Sequence, residues 1–321
     1  MSVSYNLRSH LKHIQGLPIV HTDSYVCGLP PGHRFQMGKF RGVFHSLLRD
    51  GVVQPARQVL EPSQITPELA ALAHSKEYVE RFLRGETTAE EQRRTGFKWS
   101  WGLASRVRWE CGGTLLAALL SRERGLAAST GGGTHHAGPH YGSGFCLLND
   151  LAITAATLIA LKLAEKVLII DLDVHQGDGT ALIFQDNPQV FTFSVHCQSN
   201  FPFRKNPSDL DIGLADHVGD AEYLSVLRDR LPGLMDEVRP DVVLYDAGVD
   251  PHKDDDLGKL DLTDDGLFAR DMYVMETCVS RGVPVSCVIG GGYHRDLQIL
   301  SRRHSIVHRA ATKVFSDRLA L

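Results

Sequence analysis

Residues that could bind a divalent cation follow an apolar run in the segment Val167–Thr180, whose sequence is VLIIDLDVHQGDGT. Asp173 and His175 lie two positions apart, so in extended backbone both side chains point to one face, which Asp171 shares. Carboxylates beside an imidazole are typical ligands of Zn²⁺ or a similar divalent ion. An ordinary acidic turn is the alternative, but three acids and a histidine packed this densely disfavour it. The spacing therefore predicts part of a metal site.

A second apolar run, in the segment Asp241–Asp250, delivers two further carboxylates. Its sequence, DVVLYDAGVD, places Asp246 and Asp250 at the expected carboxyl end of a strand. Ligands of α/β proteins gather outside the carboxyl ends of the strands, so either aspartate could complete the metal site. Asp250 lies further beyond the strand, where such a site would open. An ordinary turn aspartate is the alternative for this segment taken alone.

Two glycine-rich segments add residues that could move protons or stabilise negative charge. His135 and His136 follow the run STGGGT, and adjacent histidines point apart in a strand, which disfavours their sharing one metal. They could instead flank a reaction centre, each oriented by a carboxylate, or they could be surface loop histidines. The segment VIGGGYH presents Tyr293, whose hydroxyl could donate a hydrogen bond to a developing oxyanion.

Together these residues predict metal-assisted hydrolysis. A divalent ion would polarise a carbonyl and lower the pKa of bound water toward ~7, and a neutral histidine would take the water proton and later protonate a leaving amine. The sequence has no G-x-S-x-G elbow and no cysteine placed as an obvious nucleophile, which disfavours covalent acyl transfer. The glycine runs lack the nucleotide-binding motifs.

Short apolar runs alternate with longer helical patterns, and this alternation predicts an α/β fold with a parallel sheet and helices on both of its faces. The candidate strands are Leu17–His21, Leu126–Ser129, Val167–Leu172, Val190–Val195, Val242–Tyr245 and Val285–Ile289. The candidate helices are Gly38–Arg49, Ala104–Arg124, Leu151–Ala164, Ala221–Leu231 and Asp264–Arg281. The charged segment Arg84–Arg94 predicts an exposed loop, and the basic residues from Ser301 onward predict a surface helix.

The composition indicates a soluble globular protein, because 43% of the 321 residues are apolar and 22% are charged. The formal net charge of −4 gives no overall field that would attract nucleic acid or a membrane. Six cysteines without a C-x-x-C pair favour a reducing compartment. The start of the chain lacks the apolar core of a signal peptide, and the apolar run Leu151–Leu161 is too short to span a bilayer. We expect a cytoplasmic protein, with residues 1–321 in one domain.

Four segments, THHAGPHYGSGFCLLND, DLDVHQGDGT, DAGVD and GGGYH, together resemble the zinc-dependent histone deacetylase family. The resemblance extends from Leu17 to beyond Tyr293, with the motifs in family order. The opening LPIVHTDSYVCGLPPGHRFQMGKFRGVFHSLLRDG and the residue Gln176 look most like the class IV branch. The resemblance implies a single open-faced arginase/deacetylase-like domain with a mainly parallel sheet of about eight strands. It also implies hydrolysis of Nε-acyl-lysine amides and inhibition by hydroxamates.

The resemblance also assigns roles at the reaction centre. It implies one catalytic zinc ion, bound by Asp173, His175 and Asp250. The related arginases bind two manganese ions through an Asp at the position that Gly177 occupies here, so one metal is expected. The implied catalytic residues are His136 as general base and acid with its orienting Asp178, His135 with its partner Asp171, and Tyr293 as the donor to the carbonyl oxygen.

The same resemblance implies a tunnel for the acyl-lysine side chain and a structural cation. Gly144 and Phe145 match one wall of the tunnel, and Phe201 and Leu257 match the other walls. The structural cation is usually K⁺, and its implied ligands are Asp171, Asp173, His175, Ser194 and Val195.

The sequence leaves the substrate open. Many class I enzymes hold the substrate backbone with a rim aspartate, but no Asp occurs between Gly51 and Asn149, where only glutamates such as Glu86, Glu90 and Glu91 could substitute. One hypothesis is a protein lysine deacetylase or longer-chain deacylase. A second is hydrolysis of acetylpolyamines or other small acylated amines. The third, a catalytically silent acyl-lysine-binding scaffold, is least favoured because every expected catalytic position is filled. Direct binding of nucleic acid is not expected.

Overall fold

Apolar runs form the central strands of a parallel sheet in the computed structural model, which describes residues 14–319. The strands are β1 (Ile19–Val20), β2 (Val59–Leu60), β3 (Leu126–Ser129), β4 (Val167–Asp171), β5 (Val190–Cys197), β6 (Leu210–Leu214), β7 (Val242–Asp246) and β8 (Val285–Val288). Their order in the sheet is β2-β1-β3-β8-β7-β4-β5-β6, and neighbouring strands pair in parallel. Every residue of β4 and β7 is buried, so both faces of the sheet are covered there.

Helices connect the parallel strands. Their bounds are α1 (Lys39–Arg49), α2 (Pro55–Gln58), α3 (Pro67–Ala70), α4 (Lys76–Arg84), α5 (Ala89–Thr95), α6 (Trp101–Arg124), α7 (Asp150–Ala160), α8 (Asp178–Phe184), α9 (Asp220–Val238), α10 (Asp264–Val279), α11 (Leu297–His304) and α12 (Ile306–Arg318). The predicted α/β fold with a parallel sheet of about eight strands is confirmed. Within residues 14–319, no helix is both long and apolar enough to cross a membrane.

The structure corrects several predicted elements. The segment Arg84–Arg94 is not one exposed loop, because it contains most of α5. Thr88 accepts a hydrogen bond from the backbone of Glu91, whose side chain accepts one from the backbone of Thr88, and this capping box starts the helix. The predicted helix Leu151–Ala164 ends four residues early, at Ala160, and α9 extends beyond the predicted Leu231 to Val238. The predicted domain spans residues 1–321, of which 1–13 and 320–321 lie outside the described residues.

The register of the sheet determines which side chains meet at its carboxyl edge. Asp171 at the end of β4 pairs with Ser194 of β5 on one side and with Asp246 of β7 on the other. The loops after β3, β4, β7 and β8 leave the sheet at this same edge, because all four strands run in parallel. All four chemistry-bearing segments identified in the sequence belong to these loops.

Candidate active site

Two carboxylates and one imidazole converge beyond the ends of β4 and β7. Asp173, His175 and Asp250 each offer one ligand atom, and these three atoms lie within 4.8 Å of one another. His175 Nδ1 lies 3.0 Å from Asp173 Oδ1 and 3.1 Å from Asp250 Oδ2. All three residues are buried. A set of two carboxylates and an imidazole fits a divalent cation such as Zn²⁺.

The electrostatics of this triad also favour a cation. Burial and the neighbouring charge of Asp173 raise the pKa of Asp250 to about 7. Burial opposes protonation of His175, but its hydrogen bonds with Asp173 and Asp250 raise its pKa to about 10. Two buried carboxylates this close repel each other unless positive charge lies between them. The negative charge of the triad can therefore be balanced by a proton on the imidazole or by a metal ion in its place.

The glycine loop after β8 closes over this triad. The backbone N–H of Gly291 donates a 2.7 Å hydrogen bond to Asp173 Oδ2. A Cβ atom at Gly291 would lie 2.5 Å from Asp173 Oδ2 and closer still to Asp250 Oδ2. Only glycine leaves room at this position for both carboxylates.

The adjacent histidines are each held by a carboxylate. His135 Nδ1 lies 2.7 Å from Asp171 Oδ2, and His136 Nδ1 lies 2.6 Å from Asp178 Oδ1. Their ring centroids are 4.1 Å apart, and all four side chains are buried. Burial and the charge of His135 lower the pKa of His136 to about 4, so this imidazole is neutral near pH 7. Burial opposes protonation of His135, but the charges of Asp171 and Asp173 raise its pKa well above the usual value.

The loop that carries the two histidines is positioned by residues at the start of α7. Asn149 Nδ2 donates to the carbonyl oxygens of His135 and Ala137, and Asp150 accepts hydrogen bonds from the backbone of Gly133 and Thr134. This function of Asn149 and Asp150 is not evident from the sequence, where the two residues look only like the N-terminal cap of a helix.

Tyr293 lies at the same centre. Its ring centroid is 6.2 Å from that of His175 and 5.8 Å from that of Phe145. Burial, together with the charges of Asp250 and Asp173, raises the pKa of its hydroxyl well above the usual value. The side chain therefore stays protonated and can donate a hydrogen bond. A cavity is lined by Tyr293, Asp173, both histidines, Gly144 and Phe145.

Three of the four predicted wall residues, Gly144, Phe145 and Phe201, lie beside His136 or Tyr293. The ring of Phe201 meets that of His136 edge-on with centroids 4.9 Å apart, and a Cβ atom at Gly144 would contact both rings. Phe145 packs against Tyr293. Leu257 is connected to this group through its carbonyl oxygen, which accepts a 2.8 Å hydrogen bond from Asn200, the neighbour of Phe201.

Asp246 does not belong to the group of Asp173, His175 and Asp250. It lies instead with His135 and Asp171: one ligand atom from each of these three residues lies within 4.8 Å of the other two. Among the described residues, neither carboxylate oxygen of Asp246 has a hydrogen-bond partner. Burial and the charge of Asp171 raise its pKa well above the usual value. Of the two aspartates that the sequence left open, Asp250 is therefore the one beside Asp173 and His175.

A parallel sheet with a carboxylate–imidazole triad and a carboxylate-bound histidine pair at its carboxyl edge defines a hydrolase-type α/β active centre. Residues 33–310 match the histone deacetylase domain, and the chain belongs to that family. It is accordingly a deacetylase-type amidohydrolase. The likeness to the class IV branch stays a prediction.

The chain is also similar to individual proteins and to a solved structure. The chain is 51% identical over 300 residues to an uncharacterized protein of Picosynechococcus sp., covering 94% of this chain and all of that one. It is 29% identical to histone deacetylase 2 of Arabidopsis thaliana, covering 86% of this chain and 74% of the relative. A crystal structure of the HDA15 HD domain superposes with a TM-score of 0.78 at 22% identity, covering 96% of this chain and 90% of that one, which shows the shared fold.

Proposed function

We propose that this protein hydrolyses the amide bond of Nε-acyl-lysine, with one Zn²⁺ bound by Asp173, His175 and Asp250. The observation that supports this most is the convergence of those three ligand atoms beside two histidines that each contact a carboxylate. A bound Zn²⁺ would supply Lewis acidity, which polarises a carbonyl and acidifies water.

His136 is proposed as the general base and then the general acid. Its Nδ1 contacts Asp178, which leaves Nε2 free to take the proton of the attacking water. Because its pKa is lowered to about 4, the ring is neutral and can accept that proton near pH 7. The same nitrogen then returns the proton to the departing lysine amine. His135, paired with Asp171, would help to orient the water.

Tyr293 is proposed as the donor to the oxyanion. Its hydroxyl stays protonated. Its ring lies near both Phe145 and His175, which with Asp173 and Asp250 forms the proposed metal triad. A hydrogen bond that is stronger to the tetrahedral oxyanion than to the ground-state carbonyl lowers the barrier. Gly144, Phe145, Phe201 and Leu257 would enclose the apolar stem of the acyl-lysine.

A structural K⁺ is proposed near the same edge of the sheet, with ligands from Asp171, Asp173, His175, Ser194 and Val195. The pairing of Asp171 with Ser194 across β4 and β5 supports this placement, because it brings the two segments together. Dialysis into sodium-free buffer with and without potassium, followed by thermal unfolding, tests it. A melting temperature that is independent of potassium would contradict the site.

The function is tested with zinc-loaded protein and a panel of acyl-lysine peptides whose acyl chains increase in length, each in competition with an acetylpolyamine. We expect turnover of at least one acyl-lysine peptide, abolition of turnover by a zinc chelator, and inhibition by a hydroxamate. Exclusive turnover of the acetylpolyamine would replace the proposed substrate by a small acylated amine. Binding of acyl-lysine without hydrolysis of any substrate would indicate a silent scaffold.

A further inference from the structure

One carboxylate connects the loop of Tyr293 with the tunnel wall. Asp255 Oδ2 accepts a 2.7 Å hydrogen bond from the backbone N–H of Tyr293. Its other oxygen, Oδ1, accepts hydrogen bonds of 2.8 Å from Leu257 and 2.9 Å from Gly258. The next residue, Asp256, donates its backbone N–H to the carbonyl oxygen of Tyr293 at 2.8 Å. Both backbone polar groups of Tyr293 are thus bound by the segment that follows Asp250.

The backbone of Tyr293 needs such an anchor because three glycines precede it. Gly290 has a φ of +59°, and glycines restrict the backbone less than any other residue, so the segment 290–292 does not by itself fix where Tyr293 lies. A hydroxyl that stabilises an oxyanion must be placed within a few tenths of an ångström of its position in the transition state. The contacts of Asp255 supply this constraint from outside the glycine loop.

The turn that this carboxylate caps also packs against the backbone of Asp250, one of the three proposed metal ligands. A Cβ atom at Gly258 would collide with the carbonyl oxygen of Asp250, so the turn that Asp255 caps packs directly on this residue. Asp255 therefore lies between three parts of the site: the loop of Tyr293, the wall residue Leu257 and the backbone of Asp250.

We propose that Asp255 is a positioning residue, which holds the backbone of Tyr293 so that its hydroxyl meets the reacting carbonyl and holds Leu257 at the tunnel wall. This inference rests on the proposed function. Asp255 does not touch the substrate and acts through Tyr293. Loss of its carboxylate should therefore lower the rate of the chemical step more than it weakens substrate binding.

The test is a double-mutant cycle between Asp255→Asn and Tyr293→Phe, measured with an acyl-lysine peptide on zinc-loaded protein. Asparagine has nearly the same shape but only one acceptor oxygen, so it cannot accept from Tyr293 and from the turn together. We expect kcat to fall about 10- to 100-fold, with KM changed less than about threefold. In the Tyr293→Phe background the same substitution should change kcat less than about threefold, because the hydroxyl is already absent.

Asp236→Asn in α9 is the matched control, because its side chain is mostly exposed, pairs with Arg281 at 3.2 Å and belongs to none of the segments that hold Tyr293. It should leave kcat and KM unchanged. A kcat for Asp255→Asn within threefold of the wild type, or an undiminished loss in the Tyr293→Phe background, would overturn the inference. If Tyr293→Phe itself is fully active, the proposed function fails instead. If a variant does not fold, hydrogen exchange on the wild type still tests the proposal. The backbone amides of Tyr293 and Leu257 should be protected from exchange. Exchange at the rate of an unfolded chain would overturn the proposal.

Discussion

Two adjacent histidines acquire opposite proton affinities from their surroundings. His136 contacts one carboxylate and is buried beside another imidazole, and its pKa falls to about 4. His135 is equally buried, but the charges of Asp171 and Asp173 raise its pKa. A site built from identical residue types can therefore contain one neutral and one charged imidazole. The family resemblance gives the two rings different roles, but only the packing shows their different proton affinities.

Replacement of Tyr293 by Phe tests the oxyanion donor at the residue scale. The substitution removes a single hydroxyl from a buried ring, so the fold and the metal triad should persist. We expect kcat to fall about 10²- to 10³-fold, as for the loss of one oxyanion donor. Steady-state kinetics and measurement of bound zinc check this. A variant that loses its zinc, or one that keeps full activity, would contradict the assigned role.

At the scale of elements, the loops after the strands matter more than the helices. The loop after β8 must pass between two carboxylates, which requires a glycine at position 291. Gly291→Ala should displace Asp173 or Asp250 and weaken zinc binding about tenfold or more. Competition with a zinc chelator of known affinity measures this.

Gly233→Ala in α9 serves as the matched control, because a Cβ atom there meets nothing within 4 Å. This control should bind zinc as the wild type does and should unfold at an equal or slightly higher temperature, since alanine favours a helix more than glycine. Unchanged zinc affinity in Gly291→Ala would show that the carboxylates can move aside without cost.

Thr88→Ala tests the capping box of α5. Thr88 accepts the backbone N–H of Glu91 at 3.2 Å, and alanine leaves that donor without its side-chain partner. We expect the free energy of unfolding to fall by about 1 kcal/mol, with kcat unchanged. Urea unfolding measures the first and the peptide assay the second. An unchanged unfolding midpoint would mean that α5 does not depend on its cap.

The elements that the sequence predicted share a clear physical signal. The strands β3, β4, β5, β7 and β8 come from runs of apolar residues, as expected for strands covered on both faces. Two strands escaped prediction for different reasons. β2 has only two residues, and β6, at the edge of the sheet, alternates partly buried and exposed positions up to its buried last residue. The charges of α5 alternate in sign, and this pattern predicts a loop. Thr88 and Glu91 nevertheless have the spacing of a capping box, which starts a helix.

The candidate site was predictable where one segment contains several chemical groups. Asp173 and His175 are recognisable from their spacing. The end of the next apolar run offers Asp246 or Asp250, the glycine turn offers Tyr293, and the family resemblance selects Asp250. Asp255 and Asn149 were not recognisable, because each acts on backbone groups far away in the sequence. No local pattern distinguishes such residues from an ordinary turn or helix cap. Only the tertiary structure shows which backbone they contact.

At the scale of the whole molecule, several buried histidines must stay neutral for the chain to remain folded. His74, His308 and His21 have pKa values lowered to about 4, mainly by burial, and burial also lowers that of His304 well below the usual value. His74 illustrates the cause: its Nε2 accepts the backbone N–H of Asn149 at 2.8 Å, and a proton there would remove the acceptor.

The contribution of these histidines to the stability of the protein should therefore fall on acidification between about pH 6.5 and pH 4. In that interval the unfolded chain binds protons at these histidines and the folded chain does not, so the free energy of unfolding decreases as the pH falls. A histidine whose pKa is lowered from 6.5 to about 4 reduces the free energy of unfolding by about 2 kcal/mol between pH 7 and pH 5. Urea unfolding at several pH values measures the slope. His74→Gln should reduce this slope by the share of one histidine. A slope that is equal in wild type and His74→Gln would show that His74 is protonated in the folded state.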